Sequence, residues 1–205
     1  MRQPNTPATR ATRQRIVEGA REVLAQKGIR ATTVQHVLES SGVSRRTFYQ
    51  YFGSLENLLL HLYTQFTDQL ANSMEAAIKA ESDAVQRLNK AIASYLDIQE
   101  TGGPLLIAMQ AEAIRADSLL ANQREQTLDR MVALVGRSIA DTLHVHLDPL
   151  LVRNLLMGVE GSVIHMQRNG SFGPEDRARI EHITQSIWFH TLGAFPHLPK
   201  DPDLA

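Results

Sequence analysis

The sequence contains no cysteine among its 205 residues, and it has no long apolar run. The absence of cysteine excludes disulfides and thiol chemistry, and it is compatible with a reducing interior. The uninterrupted apolar runs are far shorter than the roughly 20 residues that a bilayer-spanning helix requires. These absences predict a cytoplasmic protein without a membrane segment.

The sequence also has little of the strict alternation or turn spacing that indicates β structure, and it shows no internal repeat. It contains neither a nucleophile elbow nor a phosphate-binding loop. His144 and His146 are two residues apart, so a helix would direct them to different faces, and no carboxylate cluster completes a metal site. We therefore predict an all-α protein that is not an enzyme and that has no metal or cofactor.

Charge is divided unevenly along the chain. Residues 1–56 hold nine Lys or Arg against four Asp or Glu, whereas the remainder holds twelve against eighteen. A basic N-terminal end attracts phosphate regardless of base sequence, and an acidic remainder discourages the rest of the molecule from lying on a nucleic acid. Residues 1–9 contain Pro4 and Pro7 and no apolar run, so we interpret them as a flexible basic arm rather than a signal peptide.

Residues 31–59 contain two short amphipathic segments separated by small residues. The first places apolar residues at helical spacing, and its N-terminus is capped either by Thr32, in a capping box with Gln35, or by Thr33. Two serines and Gly42 follow. They suit a turn between steeply crossed helices, because such a turn brings backbones together and often needs a left-handed residue. The pattern predicts a helix-turn-helix.

The second segment, RRTFYQYF, separates apolar from polar residues as a DNA-reading helix requires. Ser44 has the chemistry of a helix cap, and Phe48 and Phe52 fall on the side that faces the core. Arginine matches the two acceptors of a guanine edge, and hydroxyl groups suit phosphate oxygens. The side chains offered to a duplex are those of Arg45, Arg46, Thr47, Tyr49 and Gln50.

Four motifs together resemble the DNA-binding domain of the tetracycline-repressor-like (TetR) regulators, across roughly residues 10–60. They are TRQRIVEGAREVLAQKG as the first helix, TTVQHVLESSGVS as the second helix and turn, RRTFYQYF as the recognition helix, and SLENLL opening a long fourth helix. The resemblance implies base contacts by Arg45 and Arg46 and phosphate contacts by Thr47, Tyr49 and Tyr51. It also implies that Thr33 and the N-terminus of the second helix grip the DNA backbone. The full candidate DNA-binding set is Thr33, Ser44, Arg45, Arg46, Thr47, Tyr49, Gln50 and Tyr51.

One position departs from the family pattern. Members commonly carry a lysine one residue into the fourth helix, where this sequence has Leu55. One expected phosphate contact is therefore absent or supplied by another basic residue, and its loss would weaken DNA binding.

Apolar spacing predicts about nine helices in all, divided between a helix-turn-helix domain at 10–54 and a helical effector-binding and dimerisation domain at 55–205. A long fourth helix joins the two. The resemblance implies that the last two helices pack against a symmetry mate, so that a homodimer presents two recognition helices to a palindromic operator. The candidate dimer residues are Val159, Val163, Met166, Ile183, Ile187, Trp188 and Thr191, with Trp188 and Phe189 as anchors.

The region from residue 66 to residue 165 mixes large or flexible side chains with a few polar ones, which is a composition that can hold a small ligand. The resemblance implies an apolar or aromatic effector that releases a repressor from DNA. Candidate effector contacts are Phe66, Gln69, Tyr95, Met109, Glu112, Met131 and His165. Each of these residues also suits an ordinary place in the core or on the surface.

Three other interpretations stay open at this point. The arginines can be the solvated face of an ordinary helical hairpin. The chain can be a non-specific architectural DNA binder, in which the acidic part serves only to dimerise. It can also be a helical enzyme that uses Glu160 or Glu112 with His165 as acid and base. Binding assays that compare the affinity for operator DNA with that for random DNA separate the two DNA-binding classes from the rest. A turnover screen tests for the enzyme.

Overall fold

The structure is a computed structural model, and it describes residues 6–168 and 172–194. All regular structure in those residues is helical, which confirms the all-α class. The helices are α1 (Pro7–Lys27), α2 (Val34–Ser41), α3 (Arg45–Phe52), α4 (Leu55–Lys79), α5 (Ala84–Ala113), α6 (Ala121–Leu143), α7 (Pro149–Arg168) and α8 (Pro174–Ala194). Within these ranges, no helix has both the length and the apolar character needed to cross a bilayer.

The first helix begins earlier than the sequence predicts. Thr6 caps α1 by accepting from the backbone N–H of Thr9, and Pro7 follows in the first turn, where its missing N–H is no loss. Residues 7–9 of the predicted arm are therefore helical, and residues 1–5 lie outside the described part of the chain.

The helix count is eight instead of about nine because two predicted helices form one element. The sequence predicts a helix that ends before Gly102 and another that begins at Pro104. In the structure α5 runs through this stretch and bends at Gly103, whose φ of 56° and ψ of −157° are not helical. The predicted interruption is thus present as a bend within α5.

The described residues form two compact units. One contains residues 6–69 and 101–126, and the other contains residues 70–100, 127–168 and 172–194. The expected boundary at residues 54/55 therefore does not coincide with the units formed by packing, because α4, α5 and α6 each contribute to both.

The core of the first unit is built around the recognition helix. Ile16 and Leu24 of α1, together with Phe48 and Phe52 of α3, are buried in one cluster. The first part of α4 adds Leu58, Leu62 and Tyr63, and the chain from α5 onward adds Leu105, Met109, Ala113 and Leu120. The helix-turn-helix is therefore supported by α4 and by the second half of α5.

The second unit has its own apolar interior, to which the end of α4, the first half of α5 and helices α6 to α8 contribute. Its buried side chains include Met74, Ile78, Leu88, Ile92, Leu96, Met131, Val135, Ile139, Val152, Val163, Ile180 and Trp188. Arg177 of α8 fastens this helix to α5 through ion pairs with Asp97 at 2.6 Å and Glu100 at 3.0 Å. Arg130 of α6 similarly contacts Glu75 of α4 at 3.2 Å.

Candidate nucleic-acid interface

The two helices of the predicted DNA-reading hairpin are fixed by their caps. Thr33 is the cap of α2 and forms a capping box with His36, so the alternative box of Thr32 with Gln35 is wrong. The hydroxyl of Thr32 instead donates a hydrogen bond to the carbonyl oxygen of Gly28 at 2.7 Å, and the side chain of Thr32 is buried. Gly42 ends α2 in the left-handed region, with φ 65° and ψ 23°, as the turn requires.

The recognition helix α3 has one buried side and one exposed side. Ser44 caps it by accepting from the backbone N–H of Thr47 at 3.1 Å, which confirms the predicted cap. Phe48 and Phe52 are buried, with their ring centroids 6.1 Å apart. The remaining candidates divide by exposure: Arg45, Arg46, Tyr49 and Gln50 are exposed, whereas Thr47 and Tyr51 are half-buried.

The two tyrosines among these candidates have rings that contact other parts of the protein. The ring of Tyr51 packs against the core of the first unit. The ring of Tyr49 meets the edge of Phe48 at 5.4 Å but keeps 45% of its surface exposed. The exposed face of α3 therefore carries two guanidinium groups, an amide and a phenol, and the two buried phenyl rings hold that face outward.

A polar network at the start of α3 was not anticipated from the sequence. Arg45 donates from Nη2 to Oε1 of Gln35 at 3.0 Å, and Gln35 donates from Nε2 to Oε1 of Glu39 at 2.9 Å. The spacing of Gln35 and Glu39, four residues apart on α2, was a visible signal of their contact. The link across the turn to Arg45 was not visible, because it depends on how α2 and α3 cross.

The N-terminus of α4 lacks the positive charge that the family pattern supplies there. Leu55 packs against the core of the first unit instead of extending into solvent. The next residue is acidic, and hydrogen bonds from its own backbone N–H and from Ser54 lower the pKa of the Glu56 carboxyl. A phosphate contact at this place would therefore come from backbone N–H groups or from another residue.

Two arginines of α1 stack on aromatic rings, one of which lies in α3 and the other in α4. The guanidinium of Arg13 lies 5.2 Å from the ring centre of Phe52, and that of Arg21 lies 5.2 Å from that of Phe66. Between these arginines, His61 of α4 is half-buried, and Nη2 of Arg13 lies 3.5 Å from its Nδ1. Burial, and then the charges of Arg13 and Arg21, lower the pKa of His61 below its ordinary value. His61 is therefore neutral in the folded chain near neutral pH.

The candidate effector residues are divided between the two units. Phe66, Gln69, Met109 and Glu112 belong to the first unit, whereas Tyr95, Met131 and His165 belong to the second. Met109, Tyr95 and Met131 are buried, and Met109 is a member of the first unit's core. Gln69 and His165 are exposed, and Phe66 and Glu112 are half-buried. The proposed acid and base of the enzyme interpretation also differ in surroundings, because Glu160 is buried whereas His165 is exposed.

Gln99 is a buried polar residue that the sequence analysis did not select. Its side chain in the second unit is only 1% exposed, and neither of its amide atoms has a hydrogen-bond partner among the residues that the structure describes. Burying an unpaired amide costs about 1–3 kcal/mol, so proteins rarely retain one without a role. A glutamine within a mostly apolar helix was the available signal, but its burial was not evident from the sequence.

The candidate dimer residues separate into a buried and an exposed group. Val163 and Trp188 are buried within the chain itself, and the role of Trp188 as an anchor for a partner stays a prediction. Val159, Met166, Ile183 and Ile187 instead line a surface groove of about 830 Å³ between α7 and α8, together with His165. Thr191 is half-buried, and Phe189 is exposed.

Comparisons with known proteins point to one family. The sequence profile of "Bacterial regulatory proteins, tetR family" matches residues 16–62. The HTH-type transcriptional regulator YfiR of Bacillus subtilis (strain 168) is 32% identical over 183 residues, which cover 83% of this chain and 85% of YfiR. The fatty acid metabolism regulator protein of the same organism is 26% identical over 163 residues, or 78% of each chain.

A solved structure shows the same fold. The transcriptional regulator FadR from Bacillus subtilis, in complex with stearoyl-CoA, superimposes with a TM-score of 0.73 at 21% identity, over 85% of this chain and 96% of FadR. The sequence profile covers α2 and α3, and the similarity to YfiR over 83% of the chain extends across both units. The chain therefore belongs to the tetR family of bacterial regulatory proteins, and it is a DNA-binding transcriptional regulator rather than an enzyme.

Proposed function

We propose that this regulator is a repressor that binds a palindromic operator as a homodimer and is released by a small-molecule effector. The observation that carries the proposal is the outward face of α3, where Arg45, Arg46, Tyr49 and Gln50 are exposed above two buried phenyl rings. A helix with these groups matches the edges of base pairs in the major groove and the phosphates beside it.

The candidate residues take different parts in this contact. Arg45 and Arg46 approach base edges, and Gln50 lies on the same exposed face. Phosphate contacts come from the hydroxyls of Thr47, Tyr49 and Tyr51, and from Thr33 and Ser44 at the helix N-termini. Helix N-termini suit this role because their backbone N–H groups point at the anion. With Leu55 turned into the core, we expect the contact usually made by lysine at that position to be missing.

Binding to selected and random DNA tests this proposal. An operator is first selected from a pool of randomised duplexes with the full chain, and its affinity is then compared with that of a scrambled duplex. We expect a specificity ratio of about 10³ or more, and a loss of affinity on the order of 10³-fold between about 50 and 200 mM salt. Equal affinity for both duplexes would identify an architectural DNA binder instead.

We propose that the dimer forms through the groove between α7 and α8. Two exposed isoleucines line this groove, Ile183 and Ile187, and Phe189 is exposed on the same helix. Apolar side chains of this size favour burial against a second copy of the same surface, which a two-fold axis supplies.

We propose that the effector binds in the second unit and that Gln99 supplies a polar contact to it. The unpaired amide of Gln99 is suited to a ligand that has a carbonyl or amide group on an otherwise apolar body. Acyl thioesters have this chemistry, and FadR of Bacillus subtilis, which shares the fold, is described in complex with stearoyl-CoA. An acyl-CoA is therefore the first effector class to test.

Thermal unfolding with stearoyl-CoA, and with coenzyme A alone as the control, tests the effector proposal. We expect stearoyl-CoA to raise the melting temperature of the wild type and to release the operator. The Gln99→Leu variant should be more stable than the wild type without ligand, because an unpaired amide is removed, and should respond less to stearoyl-CoA. An unchanged response would exclude Gln99 from the ligand site.

A further inference from the structure

We propose that Gln35 and Glu39 of α2 are positioning residues, which hold the guanidinium of Arg45 in the orientation from which it reads a base. The proposal rests on the proposed function, in which Arg45 contacts the operator. It assigns part of the sequence specificity to two side chains of α2 that are not themselves on the recognition helix.

The contacts form a chain across the turn between the two helices. Arg45 is the first residue of α3, and its Nη2 donates to Oε1 of Gln35 at 3.0 Å. Gln35 lies in the first turn of α2, and its Nε2 donates to Oε1 of Glu39 at 2.9 Å. A carboxylate on one helix is thereby connected to a guanidinium on the other through one amide.

The chemistry of the three groups allows only one arrangement of this chain. A guanidinium only donates hydrogen bonds, and a carboxylate only accepts them, so the amide of Gln35 must turn its oxygen to Arg45 and its nitrogen to Glu39. A glutamate at position 35 would have no donor for Glu39. An aliphatic residue at position 35 would hold neither partner.

The arrangement leaves Arg45 able to read DNA. A guanidinium has five N–H donors, and the contact with Gln35 leaves others available for the two acceptors of a guanine edge. A side chain that is already oriented loses less conformational freedom on binding, so the network favours the correct base contact. Arg46, the next residue, has no hydrogen bond or ion pair to any residue that the structure describes, and it serves as an internal control.

Base preference in the full chain tests the proposal. An operator is selected from randomised duplexes with the wild type, and each position is then substituted in turn. We expect Gln35→Leu to reduce discrimination about fivefold at the base position that Arg45→Ala also affects, with affinity for scrambled DNA within about twofold of wild type. Because Gln35 is uncharged, the salt dependence of binding should not change.

Variants of Glu39 separate hydrogen bonding from charge. Glu39→Gln keeps an oxygen that accepts from Gln35, and we expect it to keep the base preference. Glu39→Leu removes the acceptor, and we expect it to lose preference at the same position as Gln35→Leu. If both Glu39 variants lose the base preference, the carboxylate acts through its charge, and if both keep it, Glu39 takes no part in positioning Arg45. Either result overturns the proposed positioning role of Glu39.

A double-mutant comparison gives the decisive control. Gln35→Leu should have no further effect on base preference in the Arg45→Ala background, but its full effect in the Arg46→Ala background. Additive effects with both arginine variants would overturn the proposal, as would unaltered base preference in Gln35→Leu. Failure of the wild type itself to prefer the operator would instead contradict the proposed function, so the two failures are distinguishable.

Discussion

At the scale of single residues, Arg46 and Tyr49 offer different chemistry from the same exposed face of α3. A guanidinium recognises a base edge, whereas a phenol hydroxyl donates one hydrogen bond to a charged phosphate oxygen. We predict that Arg46→Ala lowers operator selectivity about tenfold and flattens preference at one base position per half-site. Fluorescence anisotropy on the operator and on singly substituted duplexes measures this change.

Tyr49→Phe is the matched variant for a phosphate contact. It removes only the hydroxyl and keeps the ring that contacts the edge of Phe48. We predict a loss of affinity of about tenfold or more that is the same for every duplex, because one hydrogen bond to a charged phosphate is lost. A change in base preference by Tyr49→Phe would place this side chain on a base instead.

His61 gives the first unit a defined response to pH. Burial and two neighbouring arginines lower its pKa, so the folded chain favours the neutral imidazole more strongly than the unfolded chain does. The resulting stability is present above the unfolded pKa, about 6.5, and is lost as the pH falls below that value toward the folded pKa. We predict that the fall in melting temperature between about pH 7.5 and pH 5.5 is smaller for His61→Gln than for wild type.

Calorimetry at the two pH values measures that difference. All other ionisable groups are the same in the two proteins, so their contribution cancels in the comparison. An equal fall in wild type and variant would show that His61 is not the group responsible.

The residue-scale features that the sequence predicted are those set by local chemistry. The cap Ser44, the turn glycine Gly42 and the buried pair of Phe48 and Phe52 follow from helical spacing and side-chain type, and the structure confirms them. That Thr33 and not Thr32 caps α2 did not follow from local chemistry, because the Thr32 hydroxyl donates to the carbonyl oxygen of Gly28.

At the scale of helices, the contact between α1 and α2 depends on the absence of a side chain at position 19. A Cβ atom added to Gly19 would lie 2.8 Å from the backbone nitrogen of Ser41, which is closer than real Cβ contacts allow. We predict that Gly19→Ala lowers the free energy of unfolding by about 1–3 kcal/mol, because α1 and α2 must separate. Urea denaturation of the full chain measures the change.

Gly136→Ala in α6 is the control, since an added Cβ there has nothing within 4 Å. Alanine is favoured over glycine inside a helix by about 0.5–1 kcal/mol, so this variant should be more stable than wild type. Destabilisation by both variants to the same extent would show that the effect at position 19 does not come from helix contact.

The positions of the helices were predictable from apolar periodicity. Which face of each helix is buried against its neighbours was not predictable in this way. Trp188 has the same apolar spacing as Ile187, yet Trp188 is buried and Ile187 is exposed, because only packing against other helices decides which flank turns inward. The continuation of α5 through Gly102 and Pro104 escaped prediction for the same reason. Both residues usually end a helix, and here they produce only a bend.

At the scale of the whole molecule, charge and oligomeric state act together on DNA binding. The basic N-terminal residues attract any duplex, and the acidic remainder does not. Selectivity for a long palindrome then requires two recognition helices to bind at once. Linking two such contacts in one particle raises affinity far beyond that of a single contact, because the second binding event is intramolecular.

The exposed isoleucines of α8 provide the test of this coupling. Ile183 and Ile187 are 46% and 44% exposed and line the groove between α7 and α8. We predict that changing both to Glu yields a monomer by light scattering and lowers operator affinity by about 10²-fold or more, because paired binding is lost. Val85→Glu alters a similarly exposed residue, at 47%, that does not line the groove, and it should leave the mass and the affinity unchanged.

The two measurements together distinguish the ways in which the dimer proposal can fail. If the double variant stays dimeric, the dimer interface lies on another surface. Two recognition helices can then still bind the palindrome together. If it becomes monomeric but keeps its operator affinity, one recognition helix is enough for binding. The substituted residues of α8 lie far along the sequence from the recognition helix α3. A loss of both the dimer and the operator affinity in the double variant, with Val85→Glu unaffected, therefore shows that dimerisation through the groove between α7 and α8 is needed for recognition by α3.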